Sequence, residues 1–149
     1  MHKPFFFDDL SVGDTFESLS KTITEAEIID YAWRYDPPPF HVSKPAAEEP
    51  IFGGLIASGF MTAAITFQLI QQSNGFPATS SGGHGINKLR WLEPVRPNDT
   101  INATMHVLSL QLSTSNLKLG NVLCTFDTFN QNKTIVMTME NIWILKCCG

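Results

Sequence analysis

A carboxylate and an imidazole, Asp36 and His41, stand five positions apart with Pro37, Pro38, Pro39 and Phe40 between them. Three successive prolines fix φ and remove backbone donors, so this connector fits neither a helix interior nor a central strand, and its geometry is pre-set. Ser58 and Gly59 follow seventeen and eighteen residues after His41 and open a long apolar segment. An acid/base pair on a stiff connector, facing free N–H groups at a helix start, has what proton transfer beside a polarised carbonyl requires. Each residue also has a purely structural reading. Asp36, beyond a helix end and next to proline, can be a turn former, His41 a packing histidine and Ser58 an N-cap. Ser58 has no neighbouring base that would make it a nucleophile. The combination, rather than any one member, points to a site.

The elements that must position these groups follow from periodicity and punctuation. Between Glu49 and Lys88 there is no Asp, Glu, Lys or Arg, and Phe60 to Gln72 has helical spacing. Phe60, Met61, Ala63, Ala64, Ile65, Phe67, Leu69 and Ile70 cover more than one face, as in a helix enclosed by protein on most sides. Ser58 suits its N-cap and Asn74-Gly75 its stop. The run is shorter than the roughly 20 apolar residues of a membrane span and is interrupted by Thr62, Thr66 and Gln68. Upstream, Thr24 and Glu27 form a capping box for a short amphipathic helix through Ile28, Ile29, Ala32 and Trp33, which leaves Asp36 just past its end. The stretch 15–22 reads as a first strand led in by a Gly13-Asp14 turn. Phe5, Phe6 and Phe7 read as anchors for the N-terminal arm.

From Gly85 onward the pattern is β. Ile101, Ala103, Met105 and Val107 alternate with polar residues, then the apolar phase slips by one to Leu108, Leu110 and Leu112, which predicts a bulge near Val107. Segments 122–129 and 134–145 read as a hairpin joined through Asn130-Gln131-Asn132-Lys133. His84, among glycines, is expected in a flexible loop, and His106 on the polar phase of a strand. A buried helix followed by long antiparallel strands implies an α+β domain with the sheet wrapped around the helix.

The 149 residues suit one domain, 43% of them are hydrophobic, and the net charge of −4 argues against a broad nucleic-acid footprint. Cys124, Cys147 and Cys148 have no zinc or redox spacing and read as reduced thiols. The N-terminus lacks a secretion-signal pattern, so a cytoplasmic location is the expectation.

Taken in order, Asp36-Pro37-Pro38-Pro39-Phe40-His41, Ala46-Ala47, Phe52-Gly53-Gly54, Ile56-Ala57-Ser58-Gly59, Arg90-Trp91 and Pro94-Val95-Arg96-Pro97-Asn98-Asp99 resemble the motifs of the MaoC-like dehydratases, which include (R)-specific enoyl-CoA hydratases. The signature of that family reads roughly Asp-x-Asn-Pro-x-His followed by Ile-Ala-His-Gly. Pro38 stands in place of its Asn and Ser58 in place of its His. The resemblance implies a single hotdog domain over residues 1–149 that adds water reversibly to a trans-2-enoyl thioester, with Asp36 and His41 catalytic and the Gly59 N–H as oxyanion donor. It implies substrate contacts from Ser58, Phe40 and Gly54, no metal or redox cofactor, and coenzyme A only as substrate carrier. It further implies an acyl-CoA or another acyl thioester as partner, a homodimer or higher homo-oligomer, and neither nucleic acid nor membrane. Lys88, Arg90 and Arg96 are candidates for the carrier phosphates, or simply solvated strand ends. A thioesterase and a non-catalytic acyl-thioester-binding protein are the rival readings. The absence of an acidic residue from the central helix disfavours the first, and the two signature departures favour the second.

Overall fold

The computed structural model describes residues 2–149. Two short strands come first, β1 (Thr15–Glu17) and β2 (Lys21–Thr22), then the helix α1 (Glu25–Tyr35), two single helical turns α2 (Pro39–Val42) and α3 (Lys44–Ala47), and the long helix α4 (Gly59–Ser73). Four long strands complete the chain: β3 (Ser80–Trp91), β4 (Thr100–Leu112), β5 (Leu119–Phe129) and β6 (Ile135–Lys146). All pairings are antiparallel, in the order β1-β4-β5-β6-β3, with β2 also on β4.

The α+β expectation of a sheet around a helix holds. Along β5, Gly120, Val122, Cys124, Phe126 and Thr128 turn inward while their neighbours turn outward, the period of a half-buried strand. The inward set packs with Met61, Ala63, Ile65, Leu69 and Ile70 of α4 in one core. Burial pushes the Cys124 thiol up to about 12, so it behaves as a small apolar core residue. Two threonines let α4 settle on the sheet without orphaned hydroxyls: Thr66 Oγ1 donates to the Thr62 carbonyl at 2.8 Å and lies 2.7 Å from Thr128 Oγ1.

The predicted bulge is present, since Val107 pairs with Cys124 but Ser109 pairs with Leu123, leaving Leu108 unmatched. The hairpin through Asn130–Lys133 is also formed, with Lys133 N–H donating to Asn130 O at 3.0 Å. Phe5, Phe16, Phe76 and Trp143 make an aromatic cluster that docks the N-terminal arm.

Four expectations are corrected. The first strand is broken, because Ser18 bonds Ala103 through both its N–H and its hydroxyl and Leu19 N–H turns to Ser73 Oγ. His84 lies inside β3, which begins at Ser80 rather than Gly85, and its Nε2 is 3.1 Å from Asn121 Oδ1. Phe60, expected to be buried, is 57% exposed. The helix α4 does stop at Asn74, but in an extended conformation (φ −138°) and not through a left-handed cap.

Candidate active site

Helix α1 places the acid. Thr24 Oγ1 accepts from Glu27 N–H and Glu27 accepts from Thr24 N–H, closing the capping box at its start. At its other end Asp36 is the C-cap residue, with its N–H on Ala32 O at 2.9 Å. The prolines then do two different jobs. Pro38 is the N-cap residue of α2 and Pro39 its first helical residue, where a missing N–H costs nothing. The stiff connector thus carries one turn of helix, and that turn delivers His41 back toward Asp36.

His41 is buried, and its two nitrogens have different partners. Nδ1 lies 2.7 Å from the Ile56 carbonyl. A carbonyl only accepts, so Nδ1 carries the proton and a neutral ring presents a bare lone pair at Nε2. That Nε2 is 3.6 Å from Asp36 Oδ2. The gap is too long for a direct hydrogen bond and short enough for one water bonded to both atoms. Phe40 fixes the ring from the side, 4.4 Å away by centroids, and is itself stacked on Phe52 at 4.2 Å.

Ser58 joins the acid to α4. Fully buried, it accepts from Phe60 N–H at 3.2 Å and donates to Asp36 Oδ2 at 2.6 Å. It is therefore both an N-cap and a partner of the carboxylate. A short charge-assisted bond of this kind orients its acceptor strongly. Tyr31 registers the same carboxylate from α1, its phenol pushed up by burial first and then by the negative charges of Asp36 and Tyr35.

His41 and Gly59 line one cavity of about 280 Å³, together with Thr62, Trp91, Glu93 and Val136. Asp36, with its side chain 28% exposed, touches His41 but is not itself a wall of that cavity. Among the described residues the Gly59 N–H has no acceptor, whereas Phe60 N–H and Thr62 N–H are taken by Ser58. A free N–H at the positive end of a 15-residue helix favours negative charge in front of it.

Of the residues singled out from sequence, the structure brings Asp36, His41, Ser58 and Gly59 together. All three expected substrate contacts lie outside the cavity wall: Phe40 buttresses His41, Gly54 (φ +128°) turns the loop under the Arg96 guanidinium, and Ser58 is fully buried with its hydroxyl on Asp36. Arg96 donates to the Phe52 carbonyl, Arg90 to the Leu89 carbonyl, and Lys88 pairs with Glu140 at 2.8 Å, so all three cations already have partners. No group of three or more His, Cys, Asp or Glu able to hold a metal occurs among the described residues. No described helix is long and apolar enough to cross a membrane.

Sequence reasoning missed the Ile56 carbonyl, Glu93 and, above all, Trp91. From sequence, Gly59 is expected as an oxyanion N–H donor. In the structure the space a Cβ would fill there is taken by the Trp91 indole, whose Cε2, Nε1 and Cδ2 would overlap it. The glycine itself was the available signal, since it marks a close approach of some group.

Comparison with known proteins agrees with this architecture. The MaoC like domain model matches residues 9–124. The uncharacterized protein YdeM of Bacillus subtilis is 29% identical over 139 residues, 93% of this chain and 97% of that one. The (R)-specific enoyl-CoA hydratase of Rhodospirillum rubrum is 32% identical over 107 residues, 70% of this chain and 71% of that one. Among solved structures, the MaoC-like dehydratase from Rhodospirillum rubrum superposes with a TM-score of 0.88 at 35% identity, covering 97% of this chain and 99% of that one. By sequence motif, fold and family model alike, the chain belongs to the MaoC-like domain family, on the hotdog fold.

Proposed function

We propose that the protein is a hydratase/dehydratase that adds water reversibly across the double bond of a trans-2-enoyl-CoA to give a 3-hydroxyacyl-CoA. The observation that carries this reading is the 3.6 Å gap between Asp36 Oδ2 and His41 Nε2, with His41 lining the cavity that holds the free Gly59 N–H. Two acceptors at that spacing take both protons of one water and aim its lone pair outward, at C3 of the substrate. As oxygen bonds to C3, the π electrons move onto the thioester oxygen, where Gly59 N–H and the α4 dipole stabilise the enolate. Asp36 takes the proton from the attacking water, and the proton passes to Nε2 of His41, which lines the cavity and delivers it to C2, so that both groups are restored and the reaction balances. His41, with Nδ1 committed to Ile56, holds the water. No metal or redox cofactor enters this scheme; coenzyme A serves as the carrier.

We further propose that the protein acts as a homodimer, because β3 is a long edge strand exposed along most of its length. Non-catalytic acyl-thioester binding is the reading that the Pro38 and Ser58 departures favour. Hydration of crotonyl-CoA by the wild type, set against hydrolysis of butyryl-CoA, decides among the three. Hydration is expected, and Asp36→Asn should lower its kcat by roughly 100-fold or more. Hydrolysis without hydration would make the protein a thioesterase. Binding without turnover, with Asp36→Asn inert, would make it a binding protein.

A further inference from the structure

Trp91 closes β3 at the point where that strand passes the start of α4. Its pairing partner across the sheet is Met137 on β6. Three neighbouring atoms of its five-membered ring, Nε1, Cε2 and Cδ2, all lie against the place a Cβ of Gly59 would occupy. Near-equal approach to three adjoining ring atoms means that the Gly59 Cα faces the flat side of the indole. Phe60, the next residue of α4, meets the ring edge-to-face, with centroids 5.3 Å apart and planes at 76°. Aromatic pairs favour this arrangement. Trp91 is 48% exposed, so water-driven burial alone does not account for a large indole braced there.

What that indole does occupy is the cavity wall beside the free Gly59 N–H. At about 280 Å³ the cavity is at the small end of ligand sites, and Trp91 is the bulkiest side chain around it. Glu93, two residues on, lines the same cavity, while Leu92 and Glu93 N–H both point to the Val136 carbonyl, so the segment carrying the indole is tied to β6.

Resting on the hydratase reading of the site, we propose that Trp91 is the specificity-determining wall: it restricts the acyl group seated at Gly59 to short chains. Removing the indole enlarges the cavity next to the thioester without touching Asp36, Ser58 or His41.

The test compares wild type, Trp91→Phe and Trp91→Ala with crotonyl-CoA and trans-2-octenoyl-CoA. The ratio of kcat/KM, octenoyl over crotonyl, is expected to rise at least tenfold in Trp91→Ala, a factor typical of added room for a methylene or more, with Trp91→Phe in between. Calorimetric binding of butyryl-CoA and octanoyl-CoA to the same three proteins should change preference in the same direction. This second readout needs no turnover, so a wild type that fails to hydrate either substrate defeats the hydratase reading alone. Equal losses on both substrates, with an unchanged binding preference, would reduce Trp91 to a packing residue and overturn the proposal.

Discussion

Ser58 is the residue on which the geometry of the acid turns. Its hydroxyl, bonded to Asp36 Oδ2 at 2.6 Å and capping Phe60 N–H at 3.2 Å, couples the carboxylate to the start of α4. A hydrogen bond to a charged group is worth about 1.5–3 kcal/mol. Ser58→Ala is therefore expected to lower kcat for crotonyl-CoA hydration roughly 10- to 100-fold. KM should change much less, because the serine is fully buried and stands behind the acid. Losing the cap should also cost about 1 kcal/mol in chemical denaturation. Ser58→Thr, which keeps the hydroxyl, should recover most of both, and an unchanged kcat in Ser58→Ala would mean that Asp36 needs no such support. Asp36 and His41 were legible as a pair because a short, proline-stiffened connector joins them. The Ile56 carbonyl on Nδ1 and the Trp91 ring on Gly59 were not legible. Both depend on how a loop and a strand end are brought to α4 in space, which no local spacing encodes.

The two principal helices begin where the sequence says they do, because capping is local chemistry. Thr24, Glu27 and Ser58 act within three residues of themselves. Strand limits were less legible, since the partner strand sets them: Ser18 breaks the first strand only because Ala103 lies opposite, and His84 joins β3 only because β6 runs beside it. The bulge was readable because it moves every later side chain to the other face. The α1 cap also has a pH signature. Lys21, 2.7 Å from Glu27, and then the Thr24 backbone hold the Glu27 carboxyl below its ordinary 4.5. A carboxyl lowered on folding stabilises the fold above its unfolded value, and that contribution is lost as pH falls through the folded value. The denaturation midpoint of wild type should thus exceed that of Glu27→Gln at pH 7. The difference should narrow once pH drops below about 4.5 and vanish at still lower pH. A difference that is constant with pH would assign the effect to helix packing instead.

At the scale of the whole molecule, the unfinished element is β3. Its 12 residues, at about 3.3 Å each, present roughly 40 Å of edge, and the strand is paired only on its β6 side. Ile86 in its middle is 44% exposed, and the exposed Phe60, Trp91 and Leu92 lie toward its end. An open edge of this length invites another strand, and a second copy of β3 running antiparallel satisfies both chains with one two-fold contact. Light scattering should then give twice the chain mass of 16.6 kDa. Ile86→Lys places a charge in the middle of the contact, as natural edge strands do to prevent pairing. It should yield a monomer with an unchanged circular dichroism spectrum, since Ile86 lies outside the core. Hydration by that variant should be weak at low protein concentration and recover as concentration rises, because the half-exposed Trp91, a wall of the cavity, is carried at the end of the strand that forms the contact. A wild type that is monomeric and fully active at micromolar concentration would show that a single sheet and its helix suffice for the chemistry, and that the β3 edge has another use.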